Sequence, residues 1–564
     1  MTFSRFPYRL FIVSYIGLAL LGLISCSPVT PNVADLVVLN ADIWTMKKQS
    51  PKAEAMAIAQ GRILAVGSKQ DIQSYINNDT RIIDAEYHTV VPGFNDAHMH
   101  PMMVAPGSIN LGYPAVVTMA DLLGALSKRA QQLPAGEWLL AWNYNDKLLG
   151  DHPTRVQLDS VSTVHPIMIT HSSGHVKSAN SLAYEGAGIT AATENPEGGA
   201  YDRDDNGEIK GVCREMPACE MLFSERFPEP ERELSTSIEQ LRETVKELHS
   251  FGITSIGDAY VTPALTLVYL LAINDSYPIR ANLMFIDEQV GFAKWMHRLD
   301  SIGLIDSLSD DRIRMSTVKI FHGNSLSGAT CWLYEPYANR PDYFGIEPAR
   351  DQSSLNAIVK EVHDSGMQVA IHANGDREID MVLEAIELAV NDNPKPDHRH
   401  RIEHASIMNT GLLKRAKNLG VVLALHSYVY EHGAKMEAYG EWRFPWMHVN
   451  RSALEAGVPI AGNSDYPISS AHVMTRLRSL MTRMSTEGRV YGPQQILSAE
   501  QAIHSYTAGS AYASFEETEK GQLTPGHYAD FVMLSDNPAL VDAEIVNDIK
   551  VLMTVVGGKV VFEQ

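Results

Sequence analysis

His98-Met99-His100 closes one apolar run of the sequence, and Lys319, His372, His404 and Asp465 each stand at or near the end of another. Histidines at i and i+2 of an extended segment project to the same side, so His98 and His100 can present two imidazoles to one cation. Imidazole nitrogens suit zinc and comparable divalent metals. Each residue also has an ordinary structural reading. His-x-His can form a polar turn, and His372 or His404 can be a hydrogen-bonded strand-end residue. Lys319 can snorkel from an apolar strand, and Asp465, ahead of Tyr466-Pro467, can cap a turn. The recurrence of all six at strand ends favours a metal site over six unrelated roles.

The elements that must position them are eight strand-like runs, beginning at Val90, Ile253, Ile279, Met315, Gln368, Arg401, Val421 and Pro459. Amphipathic stretches such as 355–364 and 379–390 separate most of them, and strand–helix alternation predicts a parallel sheet. Eight parallel strands fit an α/β fold, the (β/α)₈ TIM barrel, in which C-terminal strand ends converge on one active face. The barrel is expected over 91–519, enlarged by an insertion at about 101–248 after the first strand. The flanks 35–90 and 520–564 are rich in short strands, and neither can close a core alone. Together they predict a small composite β-sandwich built from both ends.

The chain has 564 residues, ordinary hydrophobic and charged fractions of 45% and 20%, and a formal charge of -21. These values exclude disorder or a coiled coil as the main architecture, and the acidic balance disfavours nucleic-acid binding. Residues 1–25 read as a secretory signal: Arg5 and Arg9 precede an apolar run too short to span a membrane comfortably. That run ends in Leu23-Ile24-Ser25-Cys26, which resembles a bacterial lipobox. It implies an exported lipoprotein anchored to a membrane through Cys26, with 26–34 as tether; Ser27 in place of Asp favours the outer membrane. An uncleaved anchor or a plain signal is the alternative. Cys213 and Cys219 could pair or stay free, and their spacing defines no motif.

Longer stretches resemble the amidohydrolase superfamily, in its amidohydrolase-3 or YtcJ-like branch. Val91-Pro-Gly-Phe-Asn-Asp-Ala-His-Met-His matches the family's P-G-F-x-D-x-H-x-H opening. Further matches are Val318-Lys-Ile-Phe, His372-Ala-Asn-Gly-Asp376, Arg401-Ile-Glu-His-Ala, Asn463-Ser-Asp-Tyr-Pro and Leu523-Thr-Pro-Gly-His-Tyr-Ala-Asp530. The resemblance implies two divalent ions, zinc by preference. His98, His100 and Asp465 would hold one, His372 and His404 the other, and Lys319 would bridge both as a carbamate. It implies hydrolysis of non-peptide carbon–nitrogen bonds in small-molecule amides, such as N-acyl or N-formyl amines. A metal-bridging hydroxide would attack, with Asp465 as proton shuttle. A homodimer is expected at family level. The rivals are ester or lactone hydrolysis on the same metals, a mononuclear deaminase that would leave Lys319 without a task, and a silent ligand-binding lipoprotein. Asp376 is a candidate orienter of the site or a helix cap. His175 is a candidate substrate or oxyanion contact in a Ser173-Gly174-His175 step where the family has Asp-Gly-His. Glu215 matches a recurring glutamate of no derivable role. Gly323-Asn324 and His426-Ser427-Tyr428 depart from the family pattern near the expected substrate pocket.

Overall fold

The computed structural model describes residues 33–105, 107–286 and 311–564. The expected leader, Cys26 and most of the tether lie outside the described residues. Eight parallel strands form the barrel: β1 (Phe94–Met99), β2 (Ile253–Val261), β3 (Arg280–Ile286), β4 (Ile313–Phe321), β5 (Gln368–Ala373), β6 (Arg401–His404), β7 (Val422–His426) and β8 (Ile460–Asn463). Each is hydrogen-bonded to the next in chain order. β8 and β1 meet at their C-terminal ends, where the Asp465 N–H donates to the His98 carbonyl (3.0 Å) and the His100 N–H to that of Tyr466 (2.6 Å).

The surrounding helices follow from apolar spacing and capping. Leu355, Ile358, Val359 and Val362 line one face of Gln352–Asp364 and join the barrel core, while Asp351 caps that helix by accepting from Ser354 N–H at 2.7 Å. The first barrel strand differs from the run expected to start at Val90. Thr89–Pro92 belongs to another sheet, and β1 begins only at Phe94. Gly93 makes the break: a Cβ there would stand 2.1 Å from Thr254 Oγ1 on β2, so only glycine lets the two backbones approach.

Thr89–Pro92 lies in a six-stranded sheet ordered 559–563, 551–556, 531–534, 89–92, 42–44, 52–53, in which both chain ends are interleaved. A four-stranded sheet of 62–67, 55–59, 36–39 and 81–84 faces it. Val38, Ile58 and Ile63 pack against Ile43, Val90, Phe531 and Val555 in one apolar layer. The residues after β1 fold as a unit of their own, a six-stranded mixed sheet running from Ile109–Asn110 to Ala200–Arg203 in space. Cys213 and Cys219, left open by the sequence, form a disulfide there. Helix Leu234–Ser250, inside the stretch expected as insertion, instead sends Leu241, Val245 and Leu248 into the barrel core.

One buried ion pair fastens the sandwich to the barrel. Arg280 at the start of β3 meets Asp530 through Nε–Oδ2 (2.7 Å) and Nη2–Oδ1 (3.1 Å), with both side chains no more than 5% exposed. Asp530 also accepts the Gly557 N–H at 2.7 Å, and the guanidinium lies 3.5 Å from the Tyr528 ring centroid. Removing Asp530 takes away the two bonds that tie the buried guanidinium to the sandwich and leaves it the Asp311 carbonyl and, at 3.5 Å, the Asp311 carboxylate. Asp530→Ala should therefore destabilise the fold by about 3–5 kcal/mol, read from chemical denaturation.

Candidate metal centre and active site

The C-terminal ends of β1, β4, β5, β6 and β8 bring the expected side chains into one mouth. His98 Nε2 lies 3.2 Å from His100 Nε2, and Asp465 Oδ1 is 3.5 Å and 3.3 Å from those two nitrogens. The His404 ring centroid is 4.8 Å from that of His98 and 4.6 Å from that of His372. Ligand atoms of His98, His404 and Asp465 all fall within 4.8 Å of one another, a spacing compatible with metal binding in this cluster. His404 and Asp465 take positive φ of 71° and 56°, a backbone region costly for non-glycine residues and characteristic of functional sites.

The protonation pattern fits cation binding. Glu403 Oε2 accepts the Nδ1–H of His98, which leaves the Nε2 lone pair facing His100 and Asp465. Glu403 is fixed in turn by Arg401, through Nε–Oε1 at 2.7 Å and Nη2–Oε2 at 2.9 Å, and Arg401 also reaches the Ala97 carbonyl at 3.0 Å. His372 Nε2 donates to the Asn324 carbonyl at 3.1 Å, so its Nδ1 carries the free lone pair. Burial holds the imidazoles of His98, His372 and His404 well below their ordinary pKa, so they are neutral, as ligands must be. Burial raises the Asp465 carboxyl, but its contacts with His100 and His98 outweigh that and hold it well below the ordinary carboxylate pKa.

Lys319 is fully buried, and Nζ has no hydrogen-bond partner. Burial lowers its pKa to about 8, against the opposing pull of Glu403 and Asp465. An orphaned buried amine beside neutral imidazoles and an ionised carboxylate is a donor set suited to divalent cations.

The sheet after β1 supplies His175. Its Nδ1 pairs with Glu215 Oε2 at 2.6 Å, and its ring centroid is 5.2 Å from that of His372. Burial works against the charged imidazole, yet the Glu215 carboxylate overcomes it and raises the pKa. Glu215 thereby acquires a role the sequence did not give it; its Oε1 also accepts the Ser325 N–H at 3.3 Å. Ser173, where the family pattern has Asp, takes the His175 N–H on Oγ at 3.2 Å and contacts His171 Nδ1 at 2.9 Å; His171 Nε2 pairs with Asp146 at 3.0 Å. This buried chain sets the turn that presents His175.

Asp376 does not orient His372: its carboxylate accepts the Tyr334 N–H at 3.1 Å. Glu378 holds that region instead, accepting from Asn324 (3.0 Å), Trp332 (2.7 Å), Asn374 (2.8 Å) and Gly375 (2.8 Å). Gly323 allows the approach, because a Cβ there would stand 2.3 Å from Glu378 Oε2. The departure at Gly323-Asn324 thus becomes the support of His372. Arg401, Glu403 and Glu378 were the residues sequence reasoning missed; their one signal is charge inside apolar segments, where a partner is required.

Two cavities open on the cluster, with His175 lining both. The smaller, about 30 Å³, is bordered by Asp465, His372, His404, His426 and Tyr428. The larger, about 310 Å³, runs past Lys319, Phe321 and Met216 to His322, whose ring nitrogens are buried and unpartnered.

Comparison with known proteins agrees with this architecture. Residues 81–562 match the family described as Amidohydrolase family. The chain is 28% identical over 539 residues to a putative amidohydrolase, YtcJ, of Bacillus subtilis (strain 168), covering 93% of this chain and 98% of that one. It is 28% identical over 553 residues to an N-substituted formamide deformylase of Arthrobacter pascens, covering 94% and 98% respectively. The crystal structure of an uncharacterized metal-dependent hydrolase from Pyrococcus horikoshii OT3 shares the fold with TM-score 0.69 and 23% identity, over 90% of this chain and 99% of that one. The chain therefore belongs to the amidohydrolase family.

Proposed function

We propose that the protein hydrolyses carbon–nitrogen bonds other than peptide bonds, in amides of N-acyl or N-formyl amines, with two divalent metal ions, zinc by ligand chemistry. The observation that carries this reading is the convergence of His98, His100, His372, His404 and Asp465 on an orphaned, buried Lys319. The similarity to the Arthrobacter pascens deformylase supports an amide substrate. On this reading His98, His100 and Asp465 would hold one ion, His372 and His404 the other, and Lys319, as a carbamate, would serve both. The lowered pKa of Lys319 makes accessible the neutral amine that takes up CO₂.

When bound, the ions bring the pKa of a water towards neutrality and polarise the substrate carbonyl. Asp465, kept ionised by its histidines, receives the proton that the attacking water releases and delivers it to the leaving nitrogen. Amines leave poorly until protonated, so this transfer matters most for amides. His175, whose pKa the Glu215 carboxylate raises against the effect of burial, borders both cavities and faces the substrate as a polar contact. The larger cavity accommodates the substituent.

We infer further that the chain is exported and anchored through a lipid on Cys26. The apolar leader and the Cys213–Cys219 disulfide, a bond that persists in oxidising compartments, support this.

The central test combines metal analysis with a panel of amides and esters. We expect about two metal ions per chain, preferred turnover of N-acyl or N-formyl amines, and loss of at least ~10³-fold in kcat for Asp465→Asn. Metal-free protein without Asp465-dependent turnover overturns the reading. Glu403→Gln should weaken metal affinity by ~10–100-fold in a competitive chelator titration, because the His98 ring loses its anchor. Cys26→Ser should shift the protein from the membrane to the soluble fraction on cell fractionation; unchanged membrane association removes the lipid anchor.

A further inference from the structure

Beside the candidate metal cluster stands a phenol that the mechanism above leaves unused. Tyr428 follows β7 at the active face, is 3% exposed, and borders the small cavity together with Asp465, His372, His404 and His175. Its hydroxyl is buried and has no hydrogen-bond partner; Ser327, the polar side chain beside it, does not meet it in hydrogen-bond geometry. The ring is held firmly. It stacks on His448 with centroids 4.9 Å apart and planes 22° apart, packs on His432 at 4.9 Å, and meets the edge of His426 at 5.4 Å. The Tyr428 carbonyl also accepts the His432 N–H at 3.1 Å.

A buried hydroxyl without a partner costs stability, and a rigid clamp keeps it from swinging out to find one. Such an arrangement is understandable where the missing partner comes from outside the chain. Burial pushes the phenol well above its ordinary pKa, so the group stays a proton donor and makes a poor anionic metal ligand. What it suits is an acceptor oxygen that gains negative charge.

We propose that the Tyr428 hydroxyl donates a hydrogen bond to the carbonyl oxygen of the substrate, and a stronger one as that oxygen becomes the oxyanion of the tetrahedral state. No bond to Tyr428 forms or breaks, and its proton remains on the phenol. His175, from the sheet after β1, would be the second polar group at the same carbonyl. The proposal rests on the hydrolase reading above.

Tyr428→Phe removes one oxygen and keeps the clamped ring, so it separates the two possible roles. We expect kcat to fall ~10²–10³-fold with KM within ~3-fold and metal content unchanged. The thermal midpoint of the chelator-treated protein should stay level or rise, since the variant loses an unpaired buried group. Ser327→Ala should leave kcat within ~3-fold, as expected of a side chain that does not hold the hydroxyl. Wild-type kcat in Tyr428→Phe overturns the proposal. So does a lowered midpoint in Tyr428→Phe that Ser327→Ala reproduces, since the hydroxyl would then be a structural link. An absence of turnover by the wild-type chain, by contrast, fails the hydrolase reading itself.

Discussion

Removing imidazoles, a lysine and a carboxylate from water together sets the terms for the rest of this molecule. Burial drives His98, His372 and His404 to their neutral forms and weakens the ammonium of Lys319, while the histidines around Asp465 keep its carboxylate ionised. The result is a nest of imidazole lone pairs and a carboxylate around a lysine whose ammonium is easily discharged, a setting that complements a divalent ion. Charged supports stand behind it and are fully paired. Arg401 neutralises Glu403 before Glu403 fixes His98, so the ligand is oriented without an uncompensated charge in the barrel wall.

The barrel can hold such a nest because its ends are tied at several levels. Asp96 accepts the N–H of Ser464 on both oxygens at 3.1 Å and that of His98 at 3.3 Å, joining β1 to the segment after β8 just below the ligands. Burial raises this carboxyl to about 7 in spite of those donors, a measure of how dry the seam is. The sheet after β1 then brings in His175 from outside the barrel, and its own buried chain of Asp146, His171 and Ser173 keeps that turn in place. The candidate ligands come from strand ends and His175 from the added sheet, a division that would let specificity change without disturbing an ion site.

Much of this was legible in the sequence, for reasons particular to each residue. The six candidate ligands could be read because strand periodicity fixes where a residue must point, and barrel topology then brings strand ends together. Asp376 was misleading because Asp at a helix start is a common cap, and nothing in the sequence says that Glu378, one residue within the first turn, collects the backbone N–H groups of two loops. Glu403 and Arg401 were invisible as supports because the partner they serve, His98, lies across the barrel, a distance no local pattern encodes. The Glu215–His175 pair joins segments that meet only through the mixed sheet, whose pairing the sequence left unspecified. The break at Gly93 was hidden because the residues on both sides are equally strand-like; it shows in the hydrogen bonds, Gly93 N–H going to the Asp530 carbonyl and Phe94 N–H to that of Gly252.

The interleaving of both chain ends in one sheet has a consequence for synthesis. Val90, Val91 and Pro92, which lead straight into β1, pair with Met533, Val532 and Phe531. During translation the strand leading into the barrel therefore waits, with an open edge, until Phe531–Leu534 has been made. A chain stopped before Phe531 would carry all six candidate ligands but no strand on that side of the segment that leads to His98 and His100. The entry strand of the candidate active site is thus completed by residues more than four hundred positions further along the chain.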